Sequence, residues 1–189
     1  MMPVIRINDA TFADLSTLRT WFKTKSPGET IDRIVREAME QLGMERDGEE
    51  ASESLTTKRD EAVMQFKTAP GLSFTKPMAA QVAGMKLQNP TWGAILHAMI
   101  SQIKAKGFEG EKLVSALNVP AKAIKFEDDG YRYRPDLCIS VQGQSAVEAW
   151  KEVDRLAKKW RIPVVVEFTW RQNPKAQHPG KNGVLTSGI

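Results

Sequence analysis

Pro3-Val4-Ile5-Arg6-Ile7-Asn8, followed by Asp9 and then by Ser26-Pro27-Gly28-Glu29, is the stretch on which the organisation of this chain turns. The first six residues alternate as a strand does, with Ile5 and Ile7 on one face and Val4, Arg6 and Asn8 on the other. Asp9 is placed to cap a first helix whose apolar positions are Phe12, Leu15, Leu18 and Phe22. Ser26 to Glu29 form a capping box with proline at the first helical position. The helix that opens there carries Ile31, Ile34, Val35, Ala38 and Leu42 on one side and stops at Gly43. A lone strand leaves its backbone groups unpaired, and so short a segment rarely supplies a core. The pattern therefore predicts a twofold dimer in which two strands pair and four helices share one interior.

Beyond Gly43 the composition changes. Met44 to Thr57 is rich in Glu, Ser and Gly, with Glu45, Asp47, Glu49, Glu50 and Glu53, and reads as a self-repelling linker. Lys58 to Phe66 either adds a short helix or continues the tether. The expected organisation is thus α+β: a dimerisation module over 1–44, a flexible acidic linker over 45–66, and a mixed α/β domain over 67–189. Charge follows the same division. Of 27 Lys/Arg and 23 Asp/Glu, residues 1–66 hold 9 and 13, a net of −4, which leaves 18 and 10 in residues 67–189, a net of +8. A basic domain tethered to an acidic dimeriser points to an anionic partner, most simply DNA, with RNA as the other candidate.

In the second part, Leu72 to Leu87 reads as two short strands around Lys76-Pro77 and Gly84. Asn89-Pro90-Thr91 starts a helix with Trp92, Ile95, Leu96, Met99, Ile100 and Ile103 inward, ending near Gly107; a shorter helix spans Gly110 to Leu117. Ala123 to Arg134 reads as a hairpin about Asp129-Gly130. The closing unit reads as a right-handed βαβ: Asp136 to Val141, a helix from Ser145 to Trp160 with Val147, Trp150, Val153, Ala157 and Trp160 inward, then Pro163 to Trp170. Val164-Val165-Val166, apolar on successive residues, predicts a strand covered on both faces.

The first segment resembles the ribbon-helix-helix family of DNA-binding proteins, and Val4 to Asp9 with Ser26 to Met39 is similar to the N-terminal module of the SeqA replication-sequestration family. In ribbon-helix-helix repressors the outward strand face reads bases in the major groove. That resemblance implies Arg6 for guanine and Asn8 for adenine edges, and a phosphate at the backbone around Pro27 and Gly28. In SeqA-like modules the same arrangement implies oligomerisation, which the acidic charge of residues 1–66 favours, and it extends to roles in replication control, mobile-element regulation or defence.

Three further groups are candidate nucleic-acid contacts. A two-residue turn at Asp129-Gly130 sets Lys125 opposite Arg134 and Phe126 opposite Tyr133, which makes Lys125, Arg132 and Arg134 a phosphate-facing stripe. Parallel strands of a βαβ unit end on one edge, bringing Gln142 and Gln144 to Trp170 and Arg171, amides for base edges and an indole for stacking. The tail from Arg171 to Gly183, with Arg171, Lys175, His178 and Lys181 and no acidic residue, reads as a mobile arm or a frayed terminus.

No catalytic residue is assigned. No Cys/His spacing suits zinc, no phosphate-binding glycine loop occurs, His97 reads as structural, and no cofactor is expected. Cys138, the one cysteine, reads as a small core residue of an apolar strand, which fits a reducing interior. With no run of about 18 apolar residues and no leader pattern, a cytoplasmic protein is expected. Two other functions compete with nucleic-acid binding. One is a protein adaptor docking an acidic partner, with Trp150, Trp160 and Trp170 contributing to its surface. The other is a metal-dependent nuclease built on Asp136, Glu148 and Lys151.

Overall fold

The computed structural model describes residues 6–44 and 63–188. The chain divides into two compact units, Met1–Met39 and Glu40–Ile189, and contains both helices and strands, as expected of an α+β protein.

The first unit holds α1 (Asp9–Phe22) and most of α2 (Pro27–Leu42). Asn8, not Asp9, is the N-cap of α1: its backbone is extended and its side chain accepts from the Thr11 N–H at 2.8 Å. Residues 6–8 form no strand within the chain, because a strand exists only where a neighbour accepts its hydrogen bonds; residues 3–5 of the expected strand lie outside the described residues. The capping box at α2 is formed. Ser26 Oγ accepts from Glu29 N–H at 3.2 Å, and the Glu29 carboxylate accepts from Lys25 N–H at 2.7 Å. Among the described residues of this unit only Leu15 and Thr30 are buried, while Ile7, Phe12, Trp21, Ile31 and Val35 are exposed.

The second unit is built on a five-stranded sheet in the order β1-β8-β7-β2-β3: β1 (Met64–Phe66), β2 (Thr75–Val82), β3 (Met85–Lys86), β7 (Val164–Trp170) and β8 (Asn182–Ser187). A three-stranded sheet in the order β4-β6-β5 comprises β4 (Ala121–Lys122), β5 (Tyr131–Arg134) and β6 (Ile139–Gln142). Three helices accompany them: α3 (Trp92–Ala105), α4 (Gly110–Ala116) and α5 (Ala146–Trp160). The helices form where their local signals place them. Thr91 caps α3 and Ser145 caps α5, and all six expected inward residues of α3 are buried. Trp92 lies at the centre, its indole N–H donating to Thr75 Oγ1 at 3.1 Å and its ring 5.8 Å from Phe168 and 6.3 Å from Trp150.

The closing βαβ is overturned. β6 belongs to the small sheet and β7 to the large one, so the two strands are not parallel neighbours. β7 instead pairs antiparallel with β2 on one side and β8 on the other. It is also covered on one face only: Val164, Val166, Phe168 and Trp170 are buried, and Glu167 is exposed between them. The tail expected over Arg171 to Gly183 runs into β8, a strand interior to the sheet, which pairs parallel with β1 as well. A Cβ at Gly183 would stand 2.6 Å from Phe168 Cζ, so glycine is required where β8 passes beneath that ring. Residues 64–66, assigned to the linker, are β1 of this sheet; residues 45–62 lie outside the described residues. On α5, Val147 is exposed, while Leu156 and Glu152, absent from the expected face, are buried. Glu152 is neutralised by Arg155 at 2.6 Å and accepts from the Asn118 N–H at 2.9 Å, tying the segment after α4 to α5.

Deleting residues 182–189 removes an interior strand and is expected to abolish the cooperative thermal transition seen by circular dichroism. A transition retained at an unchanged temperature would show that this strand is dispensable to the fold.

Candidate nucleic-acid interface

Asp129 and Gly130 do form a tight turn, both with positive φ, closed by Tyr131 N–H to Asp128 O at 2.9 Å. The strand that follows pairs elsewhere, however. β5 runs antiparallel to β6, with Tyr131 opposite Gln142 and Arg134 opposite Ile139, so the hairpin turn is Pro135–Cys138 and Lys125 does not face Arg134. The reason is burial: Ile139 and Val141 of β6 are core residues, so β6 is fixed in the hydrophobic core and offers both of its edges to β5 and β4.

Residues 124–126 are fastened against the small sheet by one side chain. Ser140, fully buried on β6, accepts from Phe126 N–H and donates to Ile124 O, each at 2.8 Å. In β5, alternation separates two pairs of side chains. Tyr131 and Tyr133 share the face of Ser140 and of Lys122 on β4, whereas Arg132 and Arg134 share the face of Val141 and Ile139. The stripe expected from Lys125, Arg132 and Arg134 is therefore split. Lys125 lies with the tyrosines, its ammonium 5.9 Å from the Tyr133 ring and 3.6 Å from Glu127. Lys122, not singled out by the sequence, sits 3.1 Å from the Phe126 ring centre and 4.7 Å from that of Tyr131, and the two rings meet edge to face at 5.3 Å. The alternation Tyr131-Arg132-Tyr133-Arg134 is the signal from which this cluster was legible.

The opposite face of β5 meets α3. Arg134 pairs with Asp136 at 3.5 Å, and Lys104 on α3 donates to Asp136 O at 2.8 Å and lies 3.7 Å from Cys138 Sγ. Cys138 is thus an exposed turn residue with φ of 57°, not a core strand residue. His97 lies in the same neighbourhood. Burial, with the Arg134 guanidinium adding to it and Asp136 opposing, lowers its pKa from the ordinary 6.5 to about 4, so the imidazole is neutral at physiological pH.

The remaining expected contacts are not brought together. Gln142 Nε2 donates to Asp129 O at 2.9 Å and Gln144 Nε2 to Gln142 O at 3.0 Å, so both amides serve the turns instead of a base edge. Trp170 is buried, its N–H bound to Gly71 O at 2.9 Å and its ring edge-on to Phe168 and His178. It cannot stack on a base. Arg171 is held by its backbone N–H to Phe74 O at 2.7 Å and stands 3.9 Å from Glu40. Lys175 and Lys181 are exposed on the loop before β8, which is folded back by Gly180 N–H to Trp170 O and Trp170 N–H to Lys181 O. Arg6 is exposed in the first unit.

Trp150 and Trp170 are core residues and Trp160 packs edge-to-face on Phe108 at 4.8 Å, so the three tryptophans form no docking surface. Asp136 pairs with Arg134 in the β5–β6 turn while Glu148 pairs with Lys151 at 3.7 Å on α5. Among the described residues no three His, Cys, Asp or Glu side chains are grouped to hold a metal ion, and no helix is long and apolar enough to cross a membrane.

Because folded His97 binds fewer protons than the unfolded chain between pH 6.5 and 4, its contribution to stability is complete above pH 6.5 and is lost as pH falls through that window. The loss is of order 3 kcal/mol. A His97→Gln variant is expected to show a correspondingly flatter dependence of its urea midpoint on pH over that range; an unchanged slope would refute the assignment. No family model matches the chain, and neither the curated proteins nor the solved structures include one with significant similarity to it.

Proposed function

We propose that this is a dimeric nucleic-acid-binding protein of regulatory type, with DNA the first candidate ligand and RNA the second. In this reading the N-terminal helices associate two chains and the basic second unit makes the contact. The observation that carries the reading is the outer face of the small sheet, where Lys122 and Lys125 stand against Phe126, Tyr131 and Tyr133. Ammonium groups interleaved with rings suit a ligand that offers phosphates and flat bases together. Arg132 on the neighbouring edge and the net charge of +8 over residues 67–189 add long-range attraction for such a polyanion.

The dimer is supported by the first unit. Ile31 and Val35, one helical turn apart on α2, are exposed together with Phe12 and Ile7, and two helices of this length do not fill a core by themselves. A second copy supplies the missing apolar surface, which is also what the ribbon-helix-helix resemblance implies. Two basic units joined through such a dimer raise one another's local concentration on a long ligand, so modest single contacts give useful affinity.

In fluorescence anisotropy against labelled nucleic acid, log affinity of the full chain is expected to fall linearly with log salt. Lys122→Glu with Lys125→Glu should weaken binding about tenfold or more and reduce that slope by about 2. Unchanged affinity would exclude this face. Separately, Ile31→Asp with Val35→Asp is expected to convert a dimer to a monomer in sedimentation equilibrium and to lower affinity by about a hundredfold. A wild-type chain that sediments as a monomer at micromolar concentration would overturn the dimer.

A further inference from the structure

Resting on the nucleic-acid reading above, we infer that the ligand is bound as a single strand, with bases stacked against Tyr131 and Tyr133 and the backbone led past Lys122 and Lys125. Three observations converge on it. The first is placement. Tyr131 and Tyr133 are two residues apart on β5, so their rings rise from one face of the sheet about 7 Å apart, and β5 is an edge strand, open along one side. Successive platforms on an open edge fit a chain whose bases are unpaired. A duplex keeps its ring faces inside the stack and offers nothing to a flat side chain.

The second is rigidity. The buried Ser140 hydroxyl bonds to both Phe126 N–H and Ile124 O, which fixes the segment carrying Phe126 and Lys125 on the sheet. Phe126 in turn stands edge-on to Tyr131 at 82°. The rings are therefore ordered before any ligand arrives, which removes much of the entropic cost of assembling a stacking site. The lysines are the adaptable part: each ammonium now lies over a ring, at 3.1 Å for Lys122 and 5.9 Å for Lys125, and each can turn to a phosphate on a flexible stem.

The third is the fate of the base-edge readers. Reading a duplex groove requires amide or guanidinium forks aimed outward. At this end of the sheet each glutamine amide is anchored by an N–H bond to the backbone, and Arg134 is directed to Asp136 on the other face of β5. What remains on the tyrosine face is sequence-tolerant chemistry, rings and ammonium groups, with the Glu127 carboxylate paired to Lys125.

The test compares the full-length chain with labelled oligo-dT and with a mixed-sequence duplex of equal length at the same salt, by anisotropy. Oligo-dT is expected to bind at least tenfold more tightly. Tyr133→Leu should weaken oligo-dT binding about tenfold and leave duplex binding unchanged, while Tyr133→Phe, which keeps the ring, retains it. Ultraviolet cross-linking of oligo-dT to the wild-type chain, mapped by peptide mass spectrometry, gives a readout that needs no variant to fold; adducts are expected within residues 131–134. Duplex binding as tight as oligo-dT, indifference to Tyr133→Leu in a folded variant, or adducts confined elsewhere would each overturn the single-strand inference while leaving nucleic-acid binding intact. Binding to neither probe at low salt would overturn both.

Discussion

Strand β7 has hydrogen-bonded neighbours on both sides, β2 from about ninety residues earlier in the chain and β8 from just after it, and most of the second unit is a consequence of that arrangement. Satisfying both edges of β7 turns Val164, Val166, Phe168 and Trp170 to one face, where the apolar stripes of α3 and α5 cover them. It also draws the loop over 171–181 back onto the sheet, because β8 must return antiparallel to β7. Trp92 closes the layer, its ring among Trp150 and Phe168 and its N–H matched to Thr75, so the bulkiest group in the core carries no unpaired donor.

The small sheet stands in a different relation to the core. Its central strand β6 is anchored by Ile139 and Val141, and from that fixed line Ser140 points the other way and holds residues 124–126 with a single hydroxyl. One strand therefore divides the apolar interior from a surface of rings and cations. α3 steadies the far side through Lys104, which supports the turn leading into β6, and His97 is kept neutral there by burial beside Arg134. The chemistry of the outer face is thus set by which way each residue of β5 and β6 points, and a shift of one residue would exchange tyrosines for arginines.

How far these features were legible depends on how local their cause is. Thr91 and Ser145 announce α3 and α5 because a cap acts within three residues of itself. Asp129-Gly130 announces a turn for the same reason, and the turn is there. Which strand lies beside β5 is not a local matter: residues 123–127 and β6 both follow or precede a turn, and the deciding factor is that β6 is buried. Cys138 reads as part of an apolar run, yet the chain turns at that residue to bring β6 against β5. Asn182 to Ser187 is hidden by the glycines, prolines and cations ahead of it, since a strand stabilised by two neighbours needs little apolar signal of its own. In the candidate site, Lys125, Phe126 and Tyr133 were visible and Lys122 was not, because Lys122 joins the rings only through the pairing of β4 with β6.

By itself the sequence determined the helices of both units, the caps of α2 and α5 and the buried stripe of α3, together with the contrast between an acidic first part and a basic second part. These follow from interactions that span a single turn, or from charge, which needs no fold to be counted. Only the tertiary structure decided that β6 and β7 lie in separate sheets, that the carboxyl-terminal segment is an interior strand, and that lysines from β4 and the following segment meet the tyrosines of β5. Strand pairing joins residues far apart in sequence, and the free energy that selects one partner over another comes from burying a whole face at once, which no short stretch of residues contains.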